Sequence, residues 1–384
     1  MIIGIDIRNI GKKRTGDEVV FFNLTKTLAK IDMENEYKLF TDIIDTTVLQ
    51  YIGVSLGIDN KKNFKIISLK TKNKFTWNFW TLPKYLRKNL VDIYFTQYIT
   101  PWFVPKKIKI ATIIHDISFN FYPQFIKFWD LFFLKKSIPL SLKRADKILA
   151  VSRFTQDEII KYYKIDSKKI DWFHNAVSAD FSAQDISVEK IKAIKEKYKL
   201  PSNYILYLGT LQPRKNIPAL LEAMALLKLE MTAKINPLKL VIAGGKKHNY
   251  DKLIDRAVKK NNLAEDVFFP GYIDEEDKAG VMKGADIFVF PSFYEGFGMP
   301  IIEAMSLGVP TIVSDILPHR EIADDAVLYF KPEIPGELTQ KIKEIISSEV
   351  VRDNASRNGK FQAQNFSWEK SARKMLEIFS QMVG

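Results

Sequence analysis

Short runs of apolar residues alternate along the chain with longer stretches in which apolar positions recur every three or four residues. The short runs in the first part of the chain are Ile2–Ile7, Val91–Phe95, Ile108–Ile114 and Ile148–Val151. Those in the second part are Tyr204–Leu208, Leu238–Ala243, Val267–Phe269, Ile287–Phe290 and Thr311–Val313. Such runs, bounded by polar or turn residues, are typical of strands buried on both faces of a parallel sheet.

Stretches with helical spacing lie between these runs. They are Val19–Lys30, Ile217–Lys228, Tyr250–Asn261, Asp277–Lys283 and Pro300–Ser306, and an amphipathic pattern covers Trp368–Met382. The alternation predicts an α/β fold with helices on both faces of a parallel sheet. Because it occurs twice, we expect two doubly wound, Rossmann-like domains facing each other across a cleft. The expected domains are residues 1–178 with a C-terminal helix at 366–384, and residues 179–365, with the junction near Val177–Ser187.

Length and composition agree with this organisation. A chain of 384 residues is too long for one ordinary hydrophobic core. The absence of cysteine excludes a disulfide scaffold, a cysteine-based metal site and a thiol nucleophile. No apolar run is long enough to span a bilayer, and the first residues do not resemble a signal peptide. We therefore expect a cytoplasmic location.

Positive charge is concentrated in the first half of the chain. The net charge is +13, and residues 1–180 carry 30 basic and 18 acidic side chains. The segment from Lys61 to Lys88 holds nine basic residues and no acidic ones. Aromatic residues in and after this segment include Phe75, Trp77, Phe79, Trp80, Tyr98, Trp102 and Phe103. This composition suits peripheral contact with an anionic membrane at its inner face. The alternative is a solvated basic face with the aromatic rings packed inward. No nucleic-acid module accompanies the charge, so no nucleic-acid partner is expected.

The segment from Glu295 to Glu303 follows the predicted strand Ile287–Phe290 directly. Gly296 and Gly298 allow backbone to approach a ligand closely, and a helix is expected to begin near Pro300. The start of such a helix offers N–H groups and a positive dipole to a phosphate. We expect Glu303 in the first turn of that helix, within reach of vicinal hydroxyl groups. A capped helix with acidic residues in its first turn would have the same spacing.

Two further motifs also follow predicted strands. Gly209-Thr-Leu-Gln-Pro-Arg-Lys-Asn216 comes after Tyr204–Leu208, and its Arg214 and Lys215 carry the charges that a departing diphosphate needs. A solvated basic turn is the simpler interpretation of this pair. His115-Asp116 follows Ile108–Ile114 and could be an acid–base dyad or a structural pair.

The segment Phe-Tyr-Glu-Gly-Phe-Gly-Met-Pro with the following Glu-Ala-Met-Ser-Leu-Gly-Val-Pro resembles the Glu-x7-Glu signature of retaining glycosyltransferases of family 4, which have the GT-B architecture. The resemblance covers nearly the whole chain. It implies that Glu303 binds ribose hydroxyls, that Glu295 and His115 lie beside the transferred sugar, and that Arg214 and Lys215 bind the diphosphate. The other donor-binding residues that it implies are Gly16, Gly209, Gly271, Tyr272, Gly296, Phe297, Gly298 and Met299.

The first loop departs from the family pattern. Thr15-Gly16 is at the expected place, but Glu18 and Val19 stand where related enzymes often have a second Gly and an Arg. An acid beside a diphosphate is unfavourable, so we expect Glu18 to point away from the diphosphate or toward the acceptor.

The resemblance implies transfer of a hexose from a nucleoside diphosphate sugar to a glycan or lipid-linked acceptor bound by the N-terminal domain, with retention of configuration. The segments Pro318–Glu321 and Asp324–Phe330 look most like mannosyltransferases of polysaccharide assembly, so GDP-mannose is the leading donor. UDP-hexoses and dTDP-rhamnose remain alternatives. A phosphorylase or epimerase of the same fold, or an idle binding protein, are the rival functions. No Asp-x-Asp metal motif and no histidine pair with zinc spacing occurs, so no essential metal or other cofactor is expected.

Overall fold

The computed structural model describes residues 1–12, 16–182, 186–230, 238–246 and 249–384. Contacts divide the chain into two units. The first unit contains Met1–Ile117, Phe128–Asn175 and Ser367–Gly384. The second contains Ser118–Lys127 and Ala176–Phe366. The chain therefore leaves the first unit twice and returns to it each time.

The first unit is built on a seven-stranded parallel sheet. Its strands are β1 (Ile2–Asp6), β2 (Glu36–Thr41), β3 (Phe64–Ser68), β4 (Ile93–Gln97), β5 (Lys109–Ile114), β6 (Lys147–Ala150) and β7 (Ile170–Trp172). Their spatial order is β3-β2-β1-β4-β5-β6-β7. The chain winds outward in one direction from β1 and in the other from β4, which is the doubly wound pattern.

The second unit repeats this topology with six parallel strands. They are β8 (Tyr204–Leu208), β9 (Lys239–Ala243), β10 (Val267–Gly271), β11 (Ile287–Phe290), β12 (Thr311–Ser314) and β13 (Leu328–Phe330). The order is β10-β9-β8-β11-β12-β13, so the winding direction reverses between β8 and β11. Ile205, Leu206, Phe288 and Val289 at the centre of this sheet are fully buried.

Helices connect the strands in both units. In chain order they are α1 (Gly16–Ile31), α2 (Thr46–Leu56), α3 (Lys74–Thr76), α4 (Leu82–Lys88), α5 (Ser118–Phe121), α6 (Phe128–Arg144), α7 (Arg153–Tyr163), α8 (Ala179–Ser182), α9 (Val188–Lys197), α10 (Ile217–Glu230), α11 (Leu253–Lys260), α12 (Glu275–Lys283), α13 (Met299–Ser306), α14 (Leu317–Ala323), α15 (Pro335–Ser347), α16 (Glu349–Ala363) and α17 (Trp368–Val383). A π-helical turn at Trp77–Thr81 joins α3 to α4. None of the helices in the described ranges has the length and apolar composition needed to cross a membrane.

The predicted fold class, two doubly wound parallel sheets, is confirmed. The strands Tyr204–Leu208 and Ile287–Phe290 have the predicted bounds. The strands β2, β3, β7 and β13 were not predicted. The returning helix α17 buries Met375, Ile378 and Phe379, and the Phe379 ring lies 5.6 Å from that of Phe95 on β4.

Candidate functional site

The carboxyl ends of β8 and β11 bring two of the predicted motifs together in the second unit. The two strands are neighbours in the sheet, and the winding reverses between them. Ligands of doubly wound sheets bind outside the carboxyl ends of the strands at such a reversal. The loops that leave the two strands are joined directly, because the Phe293 N–H donates to the Arg214 carbonyl oxygen at 2.9 Å.

Arg214, Lys215 and Glu295 form one buried charged cluster at this edge. Lys215 Nζ lies 2.5 Å from Glu295 Oε1, and Arg214 Nη1 lies 3.2 Å from Glu295 Oε2. Arg214 Nη1 also donates to the Tyr294 carbonyl oxygen at 3.1 Å. The Lys215 and Glu295 side chains are nearly fully buried, whereas the Arg214 side chain keeps about a fifth of its surface exposed. The cluster therefore leaves part of the Arg214 side chain exposed and buries its counter-ion.

The short turn that carries the two cations is fixed by its surroundings. Pro213–Lys215 forms a single 3₁₀ turn, and Asn216 ends it in the left-handed conformation with φ of 54°. The Asn216 side-chain amide donates to the Pro332 carbonyl oxygen at 2.8 Å. Lys215 Nζ lies 5.0 Å above the centre of the Phe290 ring, which limits where the ammonium group can move. The cations are thus held in place before any ligand arrives.

The electrostatics of the cluster keep Glu295 ionised. Burial raises the pKa of this carboxyl group, but the charges of Lys215 and Arg214 outweigh burial and bring the pKa from 4.5 to about 2. The carboxylate is a counter-ion for both cations at neutral pH and is a poor general base. The prediction separated Glu295, beside the sugar, from the two cations at the diphosphate, and the structure joins all three in one cluster.

The Gly-rich loop turns sharply into α13. Gly298 precedes the first helical residue with φ of 113°, a conformation that favours glycine. A Cβ at this position would lie 3.1 Å from Ile301 and 3.2 Å from Ile322. Met299 and Pro300 follow as the first two helical residues, so the helix begins one residue before the predicted start. The N-terminal end of α13, with its positive dipole, therefore lies beside the Gly296–Gly298 loop.

Glu303 is the fifth residue of α13, so the prediction that it lies in the first turn is wrong. The helix starts at Met299, which places Glu303 in the second turn and buries its side chain. Lys278 of α12 donates to Glu303 Oε1 at 2.5 Å. Glu303 Oε2 is buried and has no hydrogen-bond partner within the described ranges. One carboxylate oxygen is thus fixed by an ion pair, and the other retains its accepting capacity.

Gly209, Gly244 and Gly271 lie where the ends of β8, β9 and β10 approach one another. The Gly209 N–H donates to the Ala243 carbonyl oxygen at 3.0 Å, and the Gly244 N–H donates to that of Gly271 at 2.8 Å. A Cβ on Gly244 would lie 2.0 Å from the Gly209 carbonyl oxygen. Gly271 has φ of 82°, and the next residue, Tyr272, is exposed. This arrangement leaves an exposed aromatic ring after β10, at one of the predicted donor-binding residues.

His115 and Gly16 lie in the first unit. His115 follows β5, and its Nε2 lies 3.2 Å from Gln97 Oε1 and 3.9 Å from Asp17 Oδ1. Gly16 is the first residue of α1 and is exposed. Glu18 is buried, and its carboxylate accepts a hydrogen bond from the Gly11 N–H at 3.2 Å. Thr15 lies outside the described residues.

Comparison with known proteins identifies the family. Residues 189–362 match the family described as glycosyl transferases group 1, and residues 15–181 match glycosyltransferase family 4. O-antigen chain mannosyltransferase B of Escherichia coli is 32% identical over 280 residues, which cover 72% of each chain. The chain belongs to the family 4 glycosyltransferases.

Other relatives of this glycosyltransferase extend the match. O-antigen chain mannosyltransferase RfbU of Salmonella typhimurium is 26% identical over 367 residues, covering 94% of each chain. Alr3699/HepE of Anabaena, solved in complex with UDP-glucose, has a TM-score of 0.74 at 15% identity, covering 99% of this chain and 100% of HepE. At that identity the likeness shows the fold alone. The predicted GT-B fold class and enzyme class are confirmed.

Two residues of the glycosyltransferase site were not predicted. Lys278 gives no sequence signal, because it follows three acidic residues on a helix. Its side chain is 15% exposed, and its Nζ lies 5.6 Å from the centre of the Phe181 ring. His319 donates through Nδ1 to the Ser314 carbonyl oxygen at 2.9 Å, and its Nε2 is buried with no partner in the described structure. Burial lowers the pKa of His319 to about 4, although the charge of Glu295 opposes this effect. Among the residues described, no cluster of three or more histidine or acidic side chains could hold a metal ion.

Proposed function

We propose that this glycosyltransferase transfers a mannosyl group from GDP-mannose to a glycan or lipid-linked acceptor, with retention of anomeric configuration. The choice of mannose is supported by the names of two relatives, both O-antigen chain mannosyltransferases, at 32% and 26% identity. The observation that carries the proposal is the arrangement of Arg214, Lys215 and Glu295 at the winding reversal, where doubly wound sheets bind ligands.

The diphosphate is proposed to bind at Arg214, Lys215 and the start of α13. The Arg214 side chain is partly exposed, and its guanidinium is already oriented by Glu295 and by the Tyr294 carbonyl oxygen. Donors fixed in advance stabilise charge as it develops on a leaving group, because they need not reorganise during the reaction. The site is therefore suited to a diphosphate that gains negative charge as it departs.

The ribose is proposed to bind at Glu303. A vicinal diol donates two hydrogen bonds, and a carboxylate oxygen without a partner is a suitable acceptor. Lys278 holds Oε1 and leaves Oε2 available, so the ion pair orients the carboxylate. Glu303 thus acts in binding, and Lys278 acts as a positioning residue.

The sugar is proposed to lie beside Glu295 and the backbone of Gly296–Met299. In retaining transfer the bond from sugar C1 to the diphosphate oxygen breaks, and the bond from C1 to the acceptor oxygen forms on the same face. The proton of the acceptor hydroxyl passes to the departing phosphate oxygen, so the step balances without a protein base. This route fits Glu295, whose low pKa makes it a weak base.

The positive charge at the diphosphate is proposed to come from the protein, so that no metal ion is needed. We also propose that transfer takes place at the cytoplasmic face of the membrane, where a lipid-linked acceptor would be presented. The excess of basic residues within residues 1–180 supports this location.

A donor screen tests the function. The protein is incubated with GDP-mannose, UDP-glucose, UDP-galactose and dTDP-rhamnose, and thermal unfolding and slow donor hydrolysis are measured for each. We expect the largest shift and the fastest hydrolysis with GDP-mannose. A preference for a UDP-sugar or dTDP-rhamnose would contradict the donor assignment, and an inverted anomeric configuration in the glycoside formed with an added acceptor would contradict retention.

A further inference from the structure

The winding reversal of the first unit carries a polar cluster that differs from the charged cluster of the second unit. Strands β1 and β4 are neighbours at this reversal, and β5 lies beside β4. Gln97 is the last residue of β4, His115 follows β5, and Asp17 lies in the first turn of α1. Because ligands of doubly wound sheets bind outside the carboxyl ends of the strands at such a reversal, we expect a ligand at this edge as well.

The His115 imidazole holds the cluster together. Its Nε2 lies 3.2 Å from Gln97 Oε1 and 3.9 Å from Asp17 Oδ1. Both of these oxygen atoms are hydrogen-bond acceptors, so Nε2 carries a hydrogen that is directed toward them. The His115 side chain is 10% exposed, whereas that of Asp17 is 42% exposed. An almost buried ring thus directs an N–H group toward an exposed carboxylate.

Two adjacent acidic residues at the start of α1 have opposite environments. Glu18 is buried and accepts a hydrogen bond from the Gly11 N–H. Within the described residues, Asp17 makes no hydrogen bond, and its carboxylate forms one ion pair, with His115. The positive end of the α1 dipole stabilises a carboxylate in this first turn. The sequence led us to expect Glu18 to point away from the diphosphate or toward the acceptor, but the exposed acid of this loop is Asp17.

Tyr98 packs beside the imidazole in a strained backbone conformation. Its φ is 54°, in the left-handed region that aromatic residues rarely adopt. The Tyr98 N–H donates to the Ile113 carbonyl oxygen at 2.9 Å, which ties the residue to β5. The centres of the Tyr98 and His115 rings are 5.4 Å apart. Strained residues cluster at ligand sites, and a half-buried ring with an apolar body and a polar tip suits a ligand that has both kinds of surface.

The charges at this edge favour a neutral ligand over an anionic one. Arg8 follows β1 and is bound by both carboxylate oxygens of Asp6, with Nε and Nη2 at 2.8 and 2.7 Å. Its charge is therefore balanced, and the exposed Asp17 carboxylate would repel a phosphate. A carboxylate, an amide and an imidazole offer the donors and acceptors that hydroxyl groups need. A sugar, which has several hydroxyl groups and no charge, fits this set of groups.

We propose that Asp17 binds hydroxyl groups of the acceptor sugar, and that Gln97 and His115 are positioning residues that orient its carboxylate. A carboxylate accepts hydrogen bonds on both oxygens, and bonds to a charged acceptor are stronger than bonds between neutral groups. Asp17 would therefore select acceptors that present two neighbouring hydroxyl groups. The proposal rests on the proposed transfer to a glycan and names the group that recognises the acceptor, but it does not depend on which donor is used.

Steady-state transfer to soluble glycosides tests the proposal. The acceptors are the methyl glycosides of mannose, galactose and N-acetylglucosamine, with GDP-mannose as the donor, and the unchanged protein identifies the one that is used fastest. In D17N the KM for that glycoside should rise about tenfold or more, because a charge-assisted hydrogen bond is lost, while kcat should change by less than about threefold. D17E keeps the charge and should recover part of the loss.

Two further measurements separate acceptor binding from a general loss of structure. In D17N the GDP affinity and the slow hydrolysis of the donor without any glycoside should be unchanged. D130N is the matched control, because Asp130 is also an exposed acid in the first turn of a helix of the first unit, and it should keep the glycoside KM. Q97A should raise the same KM, and Q97E, which retains an oxygen for His115 Nε2, should raise it less.

Three results would overturn the proposal. The first is an unchanged glycoside KM in D17N. The second is a fall in kcat alone, since it would mean that Asp17 acts on the reacting bond and not in acceptor binding. The third is donor hydrolysis without transfer to any of the glycosides and without binding of them in saturation-transfer NMR, which would leave the proposed donor intact. If a UDP-sugar proves to be the donor instead, the donor assignment fails, and the same variants test Asp17 with that donor.

Discussion

Replacing Glu295 with glutamine tests the charged cluster of the candidate site most directly. The amide preserves the volume of the side chain and most of its hydrogen-bonding capacity, but it removes the charge shared by Lys215 and Arg214. Lys215 would remain buried without the Glu295 carboxylate. Breaking a buried ion pair from one side typically costs about 3–5 kcal/mol.

The structure gives an independent magnitude. The surroundings of Glu295 bring its pKa from 4.5 to about 2, which corresponds to roughly 3 kcal/mol in favour of the charged carboxylate. We therefore expect E295Q to lower the free energy of unfolding by about 3 kcal/mol. Urea denaturation followed by far-ultraviolet circular dichroism measures this loss, because all six tryptophans lie in the first unit and their fluorescence does not report on this site.

Ligand binding in the same variant separates the roles of the three side chains. A diphosphate would replace the lost negative charge, so GDP should bind E295Q at least as tightly as the unchanged protein and should restore part of its stability. Transfer should nevertheless fall about a hundredfold or more, because the charged contact with the sugar is lost. Calorimetric titration with GDP and a radiolabelled transfer assay measure the two effects.

Two controls accompany this variant. E303Q should weaken GDP binding as well as transfer, because GDP and the GDP-mannose donor both contain the ribose that Glu303 is proposed to bind. E344Q removes the partner of an exposed pair with Lys341 and should change stability by less than about 1 kcal/mol. Unchanged stability of E295Q together with weaker GDP binding would refute the reasoning. That result would mean that Glu295 contacts the nucleotide and does not stabilise the charges of Lys215 and Arg214.

Four further outcomes are expected. In K278M the donor KM should rise about tenfold with little change in kcat, because Lys278 orients a group remote from the reacting bond, and K278R should recover part of the loss in steady-state kinetics. His319 has its pKa lowered from 6.5 to about 4, so the neutral imidazole contributes roughly 3 kcal/mol to the free energy of unfolding above pH 6.5, and this contribution is lost as the pH falls toward 4. The free energy of unfolding measured over this range should therefore depend less steeply on pH in H319Q than in the unchanged protein, and equal slopes would contradict the assignment. G298A should lower stability by about 1–3 kcal/mol and reduce transfer, because φ is 113° and a Cβ would crowd Ile301, whereas G336A, with open space around its Cβ, should do neither. Transfer should persist after dialysis against EDTA, and restoration of a lost activity by Mg²⁺ or Mn²⁺ would show that the protein cations are insufficient.

The sequence predicted the central strands better than the others for a physical reason. Tyr204–Leu208 and Ile287–Phe290 lie in the middle of their sheet and are apolar throughout, so their pattern is distinctive. Strand β2 was missed because Glu36 and Lys38 interrupt its apolar residues. Strands β7 and β13 have three residues each, which is too short for a period to be recognised.

The contacts within the site were beyond sequence reasoning. The order of the strands predicts that the loops carrying Arg214, Lys215 and Glu295 meet at one edge of the sheet, although 80 residues separate Lys215 from Glu295. It does not predict that they form an ion pair, because pairing depends on how the Pro213–Lys215 turn is anchored at Pro332. The Lys278–Glu303 pair joins two helices whose packing has no signature in the pattern. The roles assigned to these residues remain predictions until the variants are measured.

The path of the chain has a consequence for synthesis on the ribosome. Strand β7 ends at Trp172, but the first unit acquires α17 only when residues from Trp368 onward have emerged. Until then, α1 and Phe95 lack the packing that α17 provides. The second unit is contiguous apart from Ser118–Lys127 and has its whole sheet by Phe330. The nascent chain can therefore complete the second sheet while the first unit still lacks its last helix. Proteolytic cleavage before Trp368 would remove α17 and so damage the first unit, although that unit is the first to be synthesised.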